Sequence, residues 1–371
     1  MTIARPHTFV IAEAGVNHNG DIARARAMVD VAADAGADAI KFQSFKSEKL
    51  ATARAPKAAY QVRNTGADDS QAAMLKALEL SDDNHRVLFD ASAAAGIEFL
   101  STPFDEDSLG LLVRTLNVRR LKIASGELTN APLLLAMART GKPVILSTGM
   151  ARIEDIKEAL GVLAFGYTTL AENLNLVPGI PAFTNAYNSE SGQAALASQV
   201  TLLHCTSNYP ATAESINLRA IETLGATFGL PVGLSDHSQG IAIATAAVAR
   251  GASVIEKHFT LDATLPGPDH TASLEPPALR DMIAAIRCVE VALGTGEKTP
   301  GAEEQNTAAV ARKSLVATAS IAQGEIFTET NLGSRRPGDG IAPIHYWDIL
   351  GTSADRAYDV DDLIVGEPPA K

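Results

Sequence analysis

The sequence lacks the features that mark secreted, membrane-spanning and nucleic-acid-binding proteins. Its 371 residues include only two cysteines, Cys205 and Cys288, which is too few for a disulfide framework and suits a reducing cytoplasmic location. No stretch reaches about 18 uninterrupted apolar residues, so no membrane span is expected. The first residues have no apolar core with a cleavage site, so no secretory signal is expected. The formal net charge of -12 disfavours nucleic acid and anionic membranes as partners.

Apolar residues make up 46% of the chain and fall into short runs separated by helical patterns such as 21–37 and 240–252. Eight runs are typical of strands buried on both faces of a parallel sheet. They cover residues 8–16, 38–45, 98–104, 120–125, 143–150, 200–207, 231–238 and 253–260. Eight strands, each followed by a helix, predict an α/β fold of the (β/α)8 TIM-barrel type. An open doubly wound sheet is the rival, but no G-x-G-x-x-G motif follows the first strand.

Three segments depart from this alternation and set the predicted domain boundaries. The catalytic barrel is predicted to occupy residues 1–293, with 165–199 as an insertion between the fifth and sixth strands. Residues 294–313 are polar and predict a linker. Residues 314–371 have short strands and turns but too few residues for a large core. We therefore expect this small module to lean on the barrel or on a partner subunit.

Polar side chains cluster where the predicted strands end, which is where TIM-barrel enzymes carry their catalytic groups. In chain order these strand ends supply Glu13, Asn17, His18, Lys41, Gln43, Ser101, Thr102, Lys122, Ser125, Glu127, Ser147, Thr148, His204, Thr206, Ser207, Ser235, Asp236, His237, Glu256, Lys257 and His258. A barrel rim with only a structural role would not need so many polar groups. The pattern therefore predicts one shared pocket.

Two histidines, His237 and His258, end successive strands, which lie about 5 Å apart in a parallel sheet. At equivalent heights they could share a divalent ion, with a carboxylate such as Glu13 completing the ligand set. Such a set suits Mn²⁺, Zn²⁺, Fe²⁺ or Co²⁺. The alternative is that each histidine is only hydrogen-bonded near the barrel rim. We expect His204 to be a packed, hydrogen-bonded residue rather than a third ligand.

Lys41 and Lys122 lie inside apolar strands, where lysine is rare unless it is paired. They could hold a phosphate or a carboxylate together with nearby hydroxyl groups. The hydroxyl groups are those of Thr102, Ser125, Ser207 and Ser235. The alternatives are pairing with Glu13 or Glu127, or Schiff-base chemistry. Asp269, in a loop stiffened by two prolines, either holds sugar hydroxyls or caps a turn.

The motifs at the strand ends resemble those of the sialic acid synthase family, in order and over nearly the whole chain. The matching stretches are IAEAGVNHNG, KFQSF, STPFD, KIASGE, ILSTGM, LLHCTSNYP, GLSDH and EKHFTLD followed by LPGPDH and ASLEP. The tail around GEIFTETNLGSRRPGDGIAP resembles the antifreeze-like (SAF) domain that ends these enzymes. The resemblance implies a transferase that condenses phosphoenolpyruvate with an N-acyl amino sugar. AAYQVRNT and SQAAMLKALEL resemble the bacterial branch, which takes an unphosphorylated sugar.

The resemblance also implies roles for individual residues. His237 and His258 match metal ligands, with Mn²⁺ as the expected ion and Mg²⁺ or Co²⁺ as alternatives. Glu13 and Glu127 match acidic groups beside the metal and the sugar aldehyde, and both are predicted to be catalytic, one of them as the base that guides water. The positions that hold phosphoenolpyruvate are matched by Lys41, Thr102, Lys122, Ser125 and Ser235, and the two lysines are also predicted to be catalytic. The positions that meet the sugar are matched by Gln43, Tyr209 and Asp269.

The implied assembly is a domain-swapped homodimer. Arg336 matches an arginine that the small module sends into the neighbouring subunit's site, although Arg335 beside it is an alternative. Ser207 stands where some relatives carry asparagine, so its contact with the phosphate stays open. The 165–199 insertion is absent from the shortest relatives and could cover the mouth of the pocket, changing which sugar fits.

Several functions remain open at this point. The acceptor could be N-acetylmannosamine, giving N-acetylneuraminate, or a diacetamido-dideoxyhexose, giving legionaminic or pseudaminic acid. A synthase that uses a 6-phosphorylated sugar would need further basic groups near the sugar. A Schiff-base aldolase that cleaves nonulosonic acids is a second enzymatic alternative. A carbohydrate-binding protein with an inert barrel is a non-enzymatic one, which the number of polar strand ends argues against.

Overall fold

The computed structural model describes residues 7–66, 70–169 and 176–367, and the chain divides into two compact units, Met1–Thr295 and Gly296–Lys371. The first unit is built on eight strands. They are β1 (Phe9–Gly15), β2 (Ala39–Ser44), β3 (Glu98–Pro103), β4 (Leu121–Ile123), β5 (Val144–Ser147), β6 (Val200–Cys205), β7 (Val232–Asp236) and β8 (Val254–His258). Each lies within one of the eight predicted runs.

The eight strands form one parallel sheet in the order β3-β2-β1-β8-β7-β6-β5-β4. Strands β1 and β8 pair in register, with Glu13 opposite His258, so the first and last strands of the fold are neighbours. Strands β3 and β4 pack against each other at the two ends of this order. The sheet is therefore a nearly closed barrel, which confirms the predicted TIM-barrel fold class.

Helices surround the barrel. They are α1 (Ile22–Asp34), α2 (Ser47–Leu50), α3 (Ala59–Thr65), α4 (Gln71–Leu78), α5 (Asp82–Ala94), α6 (Glu106–Gly110), α7 (Ala131–Ala138), α8 (Ile153–Thr168), α9 (Ile180–Asn188), α10 (Glu190–Gln199), α11 (Ala213–Ile216), α12 (Ala220–Phe228), α13 (Ala242–Ala249) and α14 (Pro276–Ala292). Local sequence fixes where several begin. The Asp21 carboxylate, for example, accepts from the backbone N–H groups of Ala23 and Arg24 at the start of α1, as expected of an N-cap.

Side-chain alternation along the strands places the site. One layer inside the barrel is apolar and consists of Ile11, Ala39, Leu100, Ile145, Leu203 and Val254. Because side chains alternate between the two faces of a strand, the residue two positions later points to the same side. Those residues are Glu13, Lys41, Thr102, Ser147, Cys205 and Glu256. The barrel interior thus changes from an apolar layer to a polar layer over two residues along each strand.

The described part of the predicted insertion, 165–199, is largely helical. Its first residues belong to α8, and α9 and α10 follow before β6; residues 170–175 lie outside the described residues. Helix α9 packs on α8, where the Phe165 and Phe183 rings meet edge to face with centroids 5.4 Å apart. Gly161 allows this approach, since a Cβ there would lie 3.0 Å from the Phe183 carbonyl oxygen.

The second unit contains α15 (Ala302–Ala311), strands β9 (Ser314–Ala317) and β10 (Leu332–Arg335), and α16 (Tyr346–Ile349). Helix α15 lies within 294–313, where the sequence predicts a linker. Strands β9 and β10 pair antiparallel over a small core that includes Leu315, Phe327 and Tyr358. Across both units, none of the helices in the described ranges has the length and apolar character to cross a membrane.

Candidate active site

A cavity of about 460 Å³ opens where the barrel strands end. It is lined by all the site residues that the sequence predicts in the barrel. They are Glu13, Lys41, Gln43, Thr102, Lys122, Ser125, Glu127, Ser207, Tyr209, Ser235, His237, His258 and Asp269. Residues from β1 to β8 meet here because the strand ends of a parallel barrel share one rim. The fold therefore brings these side chains together, while their roles stay predictions.

Two buried lysines face two buried carboxylates at the polar layer. Lys41 Nζ lies 2.5 Å from Glu13 Oε2 and 3.7 Å from Glu256 Oε2, and it donates to Thr102 Oγ1 at 3.1 Å. Lys122 Nζ lies 3.7 Å from Glu256 Oε1. The structure thus contains the Lys41–Glu13 pair, whereas Glu127 accepts from Asn130 Nδ2 at 2.6 Å.

Burial and these pairings shift the pKa values of the two lysines and the two glutamates. Burial raises the pKa of Glu13 to about 7, with Lys41 opposing the rise. Burial lowers the pKa of Lys122, although Glu256 opposes this. For Lys41, burial acts to lower the pKa, but Glu13 and Glu256 outweigh it and the pKa is raised. For Glu256, burial acts to raise the pKa, but Lys122 and Lys41 outweigh it and the pKa is lowered.

Hydroxyl groups converge beside Lys122, whose Nζ donates to Ser147 Oγ at 2.6 Å. Ser125 Oγ accepts from the Gly149 N–H at 2.9 Å. Gly149 leaves space for this cluster, because a Cβ there would lie 2.2 Å from Ser207 Oγ and 2.8 Å from Ser125 Oγ. Ser235 instead donates to Glu256 Oε1 at 2.8 Å. A cluster of hydroxyls around a buried ammonium group suits a phosphate or carboxylate.

The imidazoles of His237 and His258 adjoin each other, with ring centroids 5.4 Å apart. His237 Nδ1 lies 2.8 Å from the Thr206 carbonyl oxygen, so it donates there, and in the neutral ring Nε2 is the nitrogen with the lone pair. His258 Nδ1 is buried and has no hydrogen-bond partner among the described residues. Burial, followed by His237 and Lys41, lowers the pKa of His258 well below its usual value. The neutral imidazole is the form that binds metals.

These residues fit a divalent ion through two nitrogen ligands. Rings 5.4 Å apart can reach one ion, since metal–imidazole bonds are about 2.1 Å long. Glu13 Oε1 is buried without a hydrogen-bond partner in the described chain, and it lies on the strand beside His258. No group of three or more histidine, cysteine, aspartate or glutamate side chains is placed to hold a metal in the described ranges. The two imidazoles would therefore leave coordination positions open.

An aromatic wall borders the imidazoles. The Tyr209 ring lies 4.0 Å from that of His237 and stacks at 4.9 Å on Tyr60 of α3. Asp269 is buried at the same wall, and burial raises its pKa to about 6, with His237 opposing the rise. Gln43 is half-buried in the cavity lining.

Among the pocket residues without a predicted individual role are Tyr60, Cys205 and Glu256. Glu256 could have been assigned to the pocket from the sequence, because it lies two residues before His258 on the same strand and so points to the same side. Cys205 Sγ lies 3.8 Å from His237 Nδ1. Burial acts to raise the pKa of this thiol, but His237 outweighs it and the pKa falls to about 7. Tyr60 lies in the AAYQVRNT stretch that resembles the bacterial branch, but its place in the pocket could not be predicted because a helix outside the strand–helix alternation of the barrel carries it.

Two expectations concern residues outside this cavity. His204 Nε2 hydrogen-bonds the Ile216 carbonyl oxygen and does not line the cavity, in line with a hydrogen-bonded residue rather than a third ligand. The sequence left open whether the insertion covers the pocket mouth, and none of its described residues, 165–169 and 176–199, lines the cavity. Helices α9 and α10 pack on α8, where Phe183 and Tyr187 of α9 are half-buried against the barrel core and Leu196 of α10 is buried.

The second unit separates the two candidate arginines. Arg335 forms an ion pair with Asp361. Arg336 is exposed and makes no hydrogen bond or ion pair with any residue in the part of the chain that the structure describes.

Comparison with known proteins gives a consistent result. A model of the NeuB family matches residues 28–298, and a model of the SAF domain matches residues 312–357. The chain is 44% identical to the N,N'-diacetyllegionaminic acid synthase of Campylobacter jejuni, covering 96% of this chain and 98% of that protein. It is 43% identical to the protein of the same name from Legionella pneumophila, covering 93% and 89%.

A solved structure agrees with these matches. The N-acetylneuraminic acid synthetase of Leptospira borgpetersenii, crystallised with citrate, superimposes with a TM-score of 0.64 at 35% identity, covering 81% of this chain and 90% of that one. The SAF match confirms the antifreeze-like domain predicted at the end of the chain.

Proposed function

The chain belongs to the NeuB family, the sialic acid synthase family, and from this we propose that it condenses phosphoenolpyruvate with an unphosphorylated N-acyl amino sugar. The products are a nine-carbon sialic acid and inorganic phosphate. The observation that carries the proposal is one cavity that holds two buried ammonium groups together with two adjacent imidazoles. The first pair suits a multiply charged anion, and the second suits a metal.

Phosphoenolpyruvate is held by the cationic and hydroxyl groups in this proposal. Lys41 and Lys122 neutralise its negative charge inside a buried site, where such contacts are strong. Ser125 and Ser207 converge beside Gly149 and donate to the phosphate or carboxylate oxygens. Binding in this fixed orientation places the enol carbon for attack on the aldehyde carbon of the open-chain sugar.

His237 and His258 would hold a divalent ion, Mn²⁺ first, with Mg²⁺ or Co²⁺ as alternatives. When bound, such an ion supplies Lewis-acid polarisation of a carbonyl oxygen. Thr206 supports this arrangement, since its carbonyl fixes the Nδ1 proton of His237 and so the nitrogen left to bind.

Acid–base chemistry falls to Glu13 or Glu127. After the new carbon–carbon bond forms, water adds to the cationic carbon that carries the phosphate ester. The proton that this water loses balances the one that the sugar aldehyde oxygen gains as it becomes a hydroxyl. A pKa of about 7 for Glu13 suits it to proton transfer near neutral pH. Cleavage of the C–O bond then releases phosphate and leaves the keto acid.

The sugar side of the cavity favours an unphosphorylated acceptor. Lys41 and Lys122 are the only lysines among the described lining residues, and no arginine in that part of the chain lines it. A second phosphate would therefore lack a cation within the barrel. The names of the two similar synthases favour a diacetamido-dideoxyhexose over N-acetylmannosamine. Gln43, Tyr209 and Asp269 would contact the sugar.

The test is phosphate release from phosphoenolpyruvate with a panel of N-acyl amino sugars, with and without a chelator. We expect release with a diacetamido-dideoxyhexose or N-acetylmannosamine, none without sugar, and loss of at least about 100-fold after metal removal. Re-addition of Mn²⁺ should restore the rate. No release with any sugar would contradict the proposal.

The Schiff-base aldolase has one observation in its favour, the lowered pKa of buried Lys122, because such lysines form imines readily. Borohydride reduction in the presence of pyruvate separates the two reactions. A synthase should retain full activity and gain no mass, whereas an aldolase would be inactivated by a covalent pyruvyl adduct on lysine.

We also propose the domain-swapped homodimer, in which Arg336 of one subunit completes the pocket of the other. Exposed Arg336 supports this. So do Ile344 and Trp347 of the second unit, two large apolar side chains that are 77% and 76% exposed.

Subunit mixing tests this assembly. Arg336→Ala and His237→Ala proteins, each inactive alone, should recover about a quarter of wild-type activity when unfolded and refolded together, because half of a random mixture is heterodimer with one intact site. Refolding each variant alone is the control. Failure of the mixture to recover activity, despite dimer formation, would contradict the domain-swapped arrangement.

A further inference from the structure

A fully buried ion pair lies on the outer side of the two strands that carry the imidazoles. Asp236 ends β7 and Lys257 lies in β8, and the two are register partners in the sheet. Lys257 Nζ is 2.8 Å from Asp236 Oδ2, and both side chains are 0% exposed. Because side chains alternate along a strand, each member is next to a residue that faces the pocket: Asp236 precedes His237, and Lys257 precedes His258.

The pair also fixes the turn after β7. Asp236 Oδ1 accepts from the N–H of Ser238 at 2.9 Å and from its hydroxyl at 2.6 Å. Lys257 donates to the Ser238 carbonyl oxygen. The backbone of His237 thus lies between Asp236, both of whose carboxylate oxygens accept hydrogen bonds, and Ser238, which is bonded through its N–H, its hydroxyl and its carbonyl oxygen.

Contacts on the other side of the turn complete this support. The Ala211 N–H donates to the His237 carbonyl oxygen at 2.9 Å, and His237 Nδ1 bonds to Thr206. His258 has no such side-chain support, since its Nδ1 has no hydrogen-bond partner among the described residues. The orientation of His258 therefore depends on how firmly β8 is tied to its neighbours.

Stability alone does not explain the pair. Burying two charges costs about as much desolvation energy as their attraction returns, and apolar replacements are often neutral or stabilising. Groups that orient metal ligands, by contrast, commonly change metal affinity when they are altered. We propose that Asp236 and Lys257 are positioning residues that hold His237 and His258 at the spacing a divalent ion needs. This inference rests on the proposed function, in which those two histidines bind the ion.

The test measures Mn²⁺ affinity of the metal-stripped full-length protein by calorimetry, and the absorption spectrum of its Co²⁺ form. In Asp236→Asn the amide still accepts from Ser238 but no longer pairs with Lys257. We expect Mn²⁺ to bind about 10- to 100-fold more weakly, with a changed Co²⁺ spectrum. The double variant Asp236→Asn/Lys257→Met removes the unpaired buried ammonium group, so it should recover thermal stability while its affinity stays low.

A matched control is Glu98→Gln, which breaks the ion pair between Glu98 and Arg120 where strands β3 and β4 begin, at the other rim of the barrel. Its Mn²⁺ affinity and Co²⁺ spectrum should equal those of the wild type. If neither Asp236 variant folds, Ser238→Ala, which deletes one donor to Asp236 and no charge, should show a smaller loss in the same direction.

Wild-type affinity and an unchanged spectrum in a folded Asp236 variant, or in Ser238→Ala where that variant is needed, would overturn the inference. That outcome differs from failure of the proposed function, in which the wild type binds Mn²⁺ but releases no phosphate with any sugar. A wild type that binds neither Mn²⁺ nor Co²⁺ would overturn both.

Discussion

Replacement of His237 by alanine is expected to reduce phosphate release at least about a thousandfold. His237 is one of two imidazoles in the pocket, and its Nε2 is the nitrogen left with a lone pair. A bound metal contributes several kcal/mol to stabilising the transition state, and each 1.36 kcal/mol is a factor of ten in rate. The measurement is kcat/KM for phosphoenolpyruvate with the sugar that responds best, together with Mn²⁺ affinity by calorimetry.

His204→Ala is the matched control, because it removes an imidazole from the neighbouring strand β6. Its Nε2 bonds to the Ile216 carbonyl and does not line the cavity. We expect activity within a few-fold of the wild type and unchanged Mn²⁺ affinity. Full activity of His237→Ala would contradict the metal assignment, and equal losses in both variants would point to damage to the fold.

The barrel could be predicted from the sequence alone because buried parallel strands have a simple sequence pattern. Near-continuous apolar runs mark strands covered on both faces, and helical patterns lie between them. Polar groups at the ends of these runs then identify one rim, since a parallel barrel collects all its strand ends on one side. His237 and His258 could be paired from their places at the ends of successive strands, without any three-dimensional information.

What the sequence could not supply is the pairing of side chains across strands. Lys41 had several carboxylates within reach, and only the register of β1 against β2, which sets Glu13 opposite Lys41, selects its partner. Glu127 bonds instead to Asn130, a local contact in its own loop. Tyr60 enters the pocket because α3 packs over the rim, and this placement depends on tertiary contacts such as Asn64 Nδ2 with the Pro268 carbonyl oxygen.

The insertion and the two arginines show the same limit. Composition marked 165–199 as a departure from the barrel rhythm but could not show that α9 would pack on α8, which depends on Gly161 allowing close approach. Arg335 and Arg336 are adjacent and chemically identical. The structure separates them through Asp361, which lies in a different turn of the small unit and pairs with Arg335.

Replacement of Gly149 by alanine is expected to lower kcat/KM for phosphoenolpyruvate at least about 100-fold, because the two hydroxyls that we propose bind the phosphate or carboxylate would be displaced at once. A Cβ at this position would lie 2.2 Å from Ser207 Oγ and 2.8 Å from Ser125 Oγ. Both side chains would have to rotate away, and the Gly149 N–H would lose its bond to Ser125. Steady-state kinetics should show the larger change in KM for phosphoenolpyruvate.

Gly126→Ala is the matched control, because Gly126 lines the same cavity next to Ser125 but has nothing within 4 Å of the position that a Cβ would take. The same methyl group added there should leave kcat/KM within a few-fold of the wild type. Equal losses in both variants would mean that the loops tolerate no added bulk. Wild-type kinetics in Gly149→Ala would mean that Ser125 and Ser207 do not hold the substrate, and the phosphate would then have to be bound by Lys41 and Lys122 without them.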